Sequence, residues 1–160
     1  MCAIFGFMDY KGIVTNSMLK KLIKALAISA EVRGTDATGI GYVNDGKMVT
    51  FKQAKPAHKV KLYFLSETKA VIGHTRMTTQ GNEKFNYNNH PFSSEKGFAL
   101  AHNGVLYNND KELRKKYMLL DTKIETDSYI AVQLLEYFGS IDMESIKQMS
   151  EQVEGSFAHG

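Results

Sequence analysis

Cys2 is the only cysteine in the 160-residue chain, and it directly follows the initiator methionine. If Met1 is trimmed, one residue carries both a thiol and a free α-amine, whose ordinary pKa values lie near ~8.5 and ~8. A thiol beside its own amine needs no histidine partner, by the logic that activates an N-terminal threonine. With Met1 in place the nitrogen belongs to a peptide and cannot serve as a base. Three more clusters put polar residues where apolar ones are expected. Arg76, in Gly73-His74-Thr75-Arg76-Met77-Thr78-Thr79-Gln80-Gly81-Asn82, offers a planar fork for a carboxylate, with Thr79 as a second donor. Its structural alternative is an ion pair with a carboxylate of the fold. His102-Asn103-Gly104 follows an apolar run; an asparagine amide and a glycine N–H can hold the oxyanion of an acyl-transfer intermediate, or simply make an Asn-Gly turn. Asp127, in Glu125-Thr126-Asp127-Ser128, can accept from a substrate ammonium or sit favourably in a first helical turn. Together these groups describe a site for an α-amino acid with a cleavable side-chain carbonyl, and glutamine fits.

The elements that must position these residues follow from periodicity. Ala3–Met8 reads as a buried strand, and Thr15, Asn16 or Ser17 caps an amphipathic helix over Met18–Val32. Ala37–Val43 and Lys47–Gln53 flank the hairpin turn Asn44-Asp45-Gly46. Lys59–Leu65 reads as a short helix, and Ala70–Arg76 and Phe98–His102 as strands. Asn109 or Asp110 caps a helix through Tyr117, Thr126 one through Tyr137, and Asp142–Val153 forms a third. Glu154–Ala158 enters another strand. Hairpins followed by segregated helices favour α+β over a doubly wound sheet.

Composition is that of one globular domain, 43% hydrophobic and 23% charged. Twenty basic against seventeen acidic residues leave a charge of +3, too mild to imply a nucleic-acid partner. The basic stretch Lys52, Lys55, His58, Lys59 and Lys61 reads as a solvated face. The absence of a second cysteine, of a basic leader and of any apolar run near ~20 residues points to a cytoplasmic protein with no membrane segment. No metal or organic cofactor is expected, because neither a His/Cys cluster nor a nucleotide-binding fingerprint occurs.

Six motifs stand together in order: Cys2-Ala3-Ile4-Phe5-Gly6, Arg33-Gly34-Thr35-Asp36-Ala37-Thr38-Gly39, Gly73-His74-Thr75-Arg76, Asn89-His90-Pro91, His102-Asn103-Gly104 and Glu125-Thr126-Asp127. This set resembles the class II glutamine amidotransferases, which are N-terminal-nucleophile hydrolases, and is most like the glutaminase domain of glucosamine-6-phosphate synthase. The likeness runs from residue 2 to about 158. It implies a four-layer αββα sandwich, here an incomplete one, as a single amidotransferase domain over residues 1–160 shortened on its C-terminal side. It also implies roles. Cys2 is the nucleophile and its own amine the base; Asn103 and the Gly104 N–H form the oxyanion hole. Arg76 and Thr79 hold the glutamine carboxylate, and Asp127 its ammonium. Arg33 and His102 orient the site, and Asn89-His90-Pro91 shapes a loop. The implied partners are glutamine and an ammonia-accepting synthase domain or subunit, with a homo-oligomer compatible. Ala3 stands where the family usually has glycine, and Met77 and Gln80 where the synthase has tryptophan and histidine. These departures point to the superfamily rather than to that synthase. Two rivals remain: a non-catalytic glutamine-binding or interaction module on the same fold, and a hydrolase of another amide such as an N-acyl compound. The Arg76/Asp127 pair argues against the second.

Overall fold

A computed structural model describes residues 2–62, 68–108, 111–139 and 141–160. Strand β1 (Ala3–Met8) buries Ala3 and Phe5 while Gly6 and Met8 face out, the alternation of a strand covered on one side. Helix α1 (Asn16–Ala30) buries Leu19, Ile23 and Ala27, one residue per turn, and Thr15 accepts from the Met18 N–H as its N-cap. A 3₁₀ turn at Glu31–Arg33 then leads to the hairpin of β2 (Ala37–Asn44) and β3 (Lys47–Gln53). With β4 (Ala70–Arg76) these strands form an antiparallel sheet in the order β1-β4-β2-β3.

Two smaller antiparallel ladders follow. The first pairs β5 (Phe92–Ser93) with β6 (Ala99–Leu100), and the second pairs β7 (His102–Leu106) with β8 (Gly155–His159). Helices α2 (Lys111–Lys116), α3 (Tyr129–Phe138) and α4 (Met143–Gln152) complete the fold. Two apolar cores result. Phe5, Leu19, Ile23, Ile40, Tyr42 and Val71 join α1 to one face of the large sheet. Phe92, Leu100, Leu106, Ile130, Leu134 and Met149 join the short ladders to α3 and α4. The layers run helix, sheet, strand ladders, helices, which is the expected α+β arrangement.

Several boundaries differ from the sequence reading for physical reasons. The strand expected over Phe98–His102 breaks at Ala101, whose N–H and carbonyl both pair with Gly160; β6 and β7 therefore take different partners. No helix begins at Lys59, which ends a 3₁₀ turn over Ala57–Lys59, and Lys61 and Leu62 lie in no regular element. The carbonyls of Ala57, His58 and Val60 accept from the Lys24 ammonium, so they are not free for a helical ladder. Tyr63–Leu65 lie outside the described residues, as do the expected caps Asn109 and Asp110. Thr126 does not cap α3: its hydroxyl donates to the Asn88 carbonyl, and Ser128 occupies the cap position. Asp142 does cap α4, accepting from the Ser145 N–H at 2.8 Å. Lys52 departs from the solvated basic face. Its ammonium lies 5.4 Å from the centre of the Phe92 ring, and burial lowers its pKa to about 8, helped by the charge of Arg76.

Candidate active site

The start of β1 and the end of β4 are brought together by antiparallel register, with Ala3 opposite Thr75. Cys2 therefore meets the chain just past Arg76. Its thiol accepts from the Met77 N–H at 3.4 Å and lies 3.6 Å from the Met77 carbonyl. Cys2 is half-buried, and the Arg33 Nε–H donates to its carbonyl at 2.9 Å. The turn that supplies Arg33 packs tightly against β4. A Cβ on Gly34 would sit 2.4 Å from the Arg76 carbonyl carbon, the Asp36 N–H donates to the Arg76 carbonyl, and the Asp36 carboxylate accepts from Thr78 N–H at 2.7 Å. Arg33, Gly34 and Asp36 thus serve one purpose: they hold the beginning of β1 against the end of β4.

Arg76 is 3% exposed and makes no ion pair with a carboxylate among the described residues. Its acceptors are neutral. Nη1 donates to Asn89 Oδ1 at 2.6 Å, and Nη2 to the Gln80 and Gly81 carbonyls and, at 3.4 Å, to Thr126 Oγ1. Burial pushes the guanidinium pKa below its ordinary value, opposed by the nearby Cys2, Glu83, Asp36 and Asp127. The group remains charged, since arginine does not deprotonate in proteins. Thr79 lies on the same loop as Gln80 and Gly81, exposed, and its hydroxyl makes no hydrogen bond among the described residues.

Across the site, His74 on β4 reaches β7. Its Nε2 lies 3.0 Å from the His102 carbonyl, so that nitrogen carries the proton. The next two residues are Asn103, partly exposed, and Gly104, exposed with φ +154°. At Gly104 any side chain is excluded: a Cβ would stand 1.8 Å from the Ser156 carbonyl oxygen and 2.9 Å from the His102 ring. This close approach, rather than a turn, accounts for the glycine, because Asn103 and Gly104 lie within the β7–β8 ladder.

Asp127 is 6% exposed, and both its oxygens are engaged. Oδ1 accepts from the Ser128 N–H at 2.8 Å and from the Ser128 hydroxyl at 3.1 Å, while Oδ2 accepts from the Leu106 N–H at 2.8 Å. One contact is to the start of α3 and another to the end of β7, so the carboxylate ties helix to strand. The His102 ring is buried, with Nδ1 2.6 Å from Ser128 Oγ. Burial lowers its pKa, opposed by the charge of Asp127 and by the Ser156 backbone.

Sequence reasoning did not single out His74 or Ser128 as supports, and gave Asn89 only a loop-shaping role within Asn89-His90-Pro91. Asn89 carries Arg76 on its Oδ1 and donates to the Glu83 carbonyl at 2.7 Å, which fixes the amide's orientation. The His90 ring lies against that of His74, tilted by 36°, with ring centres 4.3 Å apart. The available signal was a run of polar residues, Glu125 to Ser128, longer than a helix cap requires. Among the described residues no group of three or more His, Cys, Asp or Glu side chains is placed to hold a metal ion. No described helix is long and apolar enough to cross a membrane.

No family model matches the chain. It is 35% identical to glutamine–fructose-6-phosphate aminotransferase (isomerizing) of Staphylococcus aureus over an alignment of 168 positions covering 100% of this chain, and 34% identical to that of Staphylococcus epidermidis. The chain spans 27% of the length of these relatives. Among solved structures, an allosteric regulatory enzyme of purine biosynthesis superposes with a TM-score of 0.74 at 22% identity, covering 99% of this chain and 34% of that one. The glutamine phosphoribosylpyrophosphate amidotransferase of B. subtilis, complexed with ADP and GMP, gives 0.63 at 23% identity, with the same coverage of both chains. At these identities the superpositions speak for the fold alone. Its sequence relatives and structural neighbours are class II glutamine amidotransferases, and the chain shares their N-terminal-nucleophile hydrolase fold.

Proposed function

We propose that this chain hydrolyses the side-chain amide of glutamine through a thioester on Cys2. The observation that carries this reading is the meeting of Cys2 with the end of β4, the thiol 3.4 Å from the Met77 N–H and one residue beyond the Arg76 fork. Removal of Met1 frees the α-amine, which takes the thiol proton. The thiolate attacks the amide carbon, the Sγ–C bond forms, and the carbonyl electron pair moves to oxygen. The Asn103 amide and the Gly104 N–H stabilise that oxyanion. As the C–N bond breaks, the protonated α-amine returns its proton to the leaving nitrogen and ammonia departs. Water, activated by the same amine, then cleaves the thioester to give glutamate.

Arg76 holds the substrate carboxylate on the side now occupied by the Gln80 and Gly81 carbonyls, with Thr79 of the same loop as second donor. Asp127 uses three hydrogen bonds of the roughly four a carboxylate accepts, which leaves room for a substrate ammonium. Ammonia passes to an acceptor outside this chain, a synthase domain or subunit, in keeping with relatives more than three times longer that are named as aminotransferases.

Intact-mass measurement combined with a glutaminase assay tests this reading. Protein lacking Met1 should release ammonia from glutamine, and Cys2→Ala should lose at least ~10³-fold in kcat. Turnover that survives Cys2→Ala overturns the mechanism. Glutamine binding without any turnover in protein free of Met1 would favour the non-catalytic module instead.

A further inference from the structure

We propose that Ser128 is a positioning residue that couples recognition of the substrate amino group to the strand bearing the oxyanion hole. The inference rests on the glutaminase reading for Asp127, Asn103 and Gly104, and its structural part is independent of it. Ser128 is 2% exposed and bridges two buried groups, Asp127 and His102. Its hydroxyl has one hydrogen to give. A carboxylate only accepts, so the hydrogen goes to Asp127 Oδ1, and the His102 Nδ1–H donates to Ser128 Oγ at 2.6 Å. Aspartate, serine and histidine here do not form a nucleophilic triad, because the serine hydroxyl is directed at the carboxylate and is not released by the imidazole.

Asp127 is therefore attached to β7 at both ends. It reaches Leu106 directly, through the N–H at 2.8 Å, and His102 indirectly, through Ser128. From the opposite side His74 holds the His102 carbonyl. Asn103 and Gly104 lie between the two anchors. A carboxylate drawn toward a substrate ammonium pulls on both ends of the segment that must receive the oxyanion. Binding of the amino group thus firms the geometry needed one step later, and small misplacements of such donors reduce rates by as much as ~10²-fold.

The test compares wild type, Ser128→Ala and Ser128→Thr on glutamine and on its analogue lacking the α-amino group. With glutamine, Ser128→Ala should lower kcat by roughly 10- to 100-fold while KM changes less than about threefold. Ser128→Thr, which keeps the hydroxyl, should recover kcat to within about threefold of wild type. With the des-amino analogue the penalty of Ser128→Ala should shrink to under about threefold, because the coupling has nothing to transmit. An equal penalty on both substrates, or a rise in KM alone, overturns the proposal. Amide exchange at Asn103 and Gly104 gives a readout that needs no turnover. Glutamate should slow exchange there in wild type and not in Ser128→Ala, and equal slowing in both overturns the coupling. Wild type free of Met1 yet without glutaminase activity would count against the glutaminase reading and leave this exchange test standing.

Discussion

Strand β4 turns Val71, Gly73 and Thr75 to one side of the large sheet and His74 and Arg76 to the other, and the two sides are built differently. On the α1 side the filling is apolar: the Phe5 ring lies so close over Gly73 that a Cβ there would stand 2.2 Å from it, and Val71 packs among Ile23, Ala27 and Ile40. The one polar group of β4 on that side, the Thr75 hydroxyl, is satisfied by the Ala30 carbonyl at 2.9 Å. On the other side, buried polar groups are crowded together. The His74 and His90 rings lie against each other, Lys52 lies over Phe92, and Arg76 is surrounded by neutral acceptors. His74 Nδ1 and both His90 ring nitrogens have no hydrogen-bond partner among the described residues. Such burial costs stability. The helix side stabilises the fold, and the site side uses part of that stability to hold charged and polar groups in fixed positions.

If this division holds, substitutions on the two sides act on different observables. Phe5→Ala should cost about 3–5 kcal/mol of unfolding free energy, measured by urea titration, because it empties the space over Gly73. The folded fraction should keep kcat within about twofold of wild type. A kcat loss larger than the stability loss explains would break the division, since Phe5 would then be acting on the site through β1. Asn103→Ala on the opposite side should do the reverse. Removing one oxyanion donor lowers kcat by about 10²–10³, equivalent to roughly 3–4 kcal/mol in the transition state. Asn103 is only partly buried, so its unfolding midpoint should move little. An unchanged kcat would remove Asn103 from the oxyanion hole.

The same division explains what could be read in the sequence. The helix side was legible because it follows single-element rules: a period of two in Ala3–Met8, one buried residue per turn in α1, and an Asn-Asp-Gly hairpin. Cys2 and the residues proposed to act with it were legible as motifs, yet their supports were not. Nothing local in the sequence says that His74 will reach the carbonyl of His102, or that Asp127 will hold the N–H of Leu106, because each bond joins elements more than twenty residues apart. Arg76 shows the same limit. The residue type suggested an ionic partner, and the fold supplied Asn89 and backbone carbonyls instead. Likewise Lys52 belongs to a basic stretch by sequence but to the buried side of β3 by strand alternation, directly opposite Gly39 in the register.

A pH titration sharpens the contrast at smaller cost. Burial holds the pKa of His74 at about 3, against an ordinary value of 6.5, and lowers that of His90 as well. Between those two values the unfolded chain binds a proton that the native chain refuses. The contribution of these histidines should therefore be level above pH 6.5 and be lost as the pH drops toward 3. His74 alone predicts a loss of about 2 kcal/mol between pH 7.5 and pH 5. Urea unfolding at the two pH values measures it, and Phe5→Ala should shift both curves without changing their separation. Equal stability at pH 7.5 and 5 would mean that these histidines are hydrated in solution and that the site side is less costly than its burial implies.

The smallest effect lies where the two sides join. Helix α1 has no acidic residue in its first turn, so its exposed N–H groups depend on Thr15, which accepts from Met18 at 3.3 Å. Thr15→Ala should cost about 1 kcal/mol or slightly less, given that long bond. Yet α1 runs directly into the 3₁₀ turn that carries Arg33, and Arg33 holds the carbonyl of Cys2. Loosening the helix at its beginning leaves that far end in place, since its packing depends on Ile23, Ala27 and the bond from Thr75 to Ala30. The expected result is a lower unfolding midpoint with kcat and KM unchanged. A fall in kcat of more than about twofold would show that α1 moves as one rigid rod and that the helix side contributes to catalysis through Arg33, because the nucleophile would then be positioned by the whole helix rather than by its last turn.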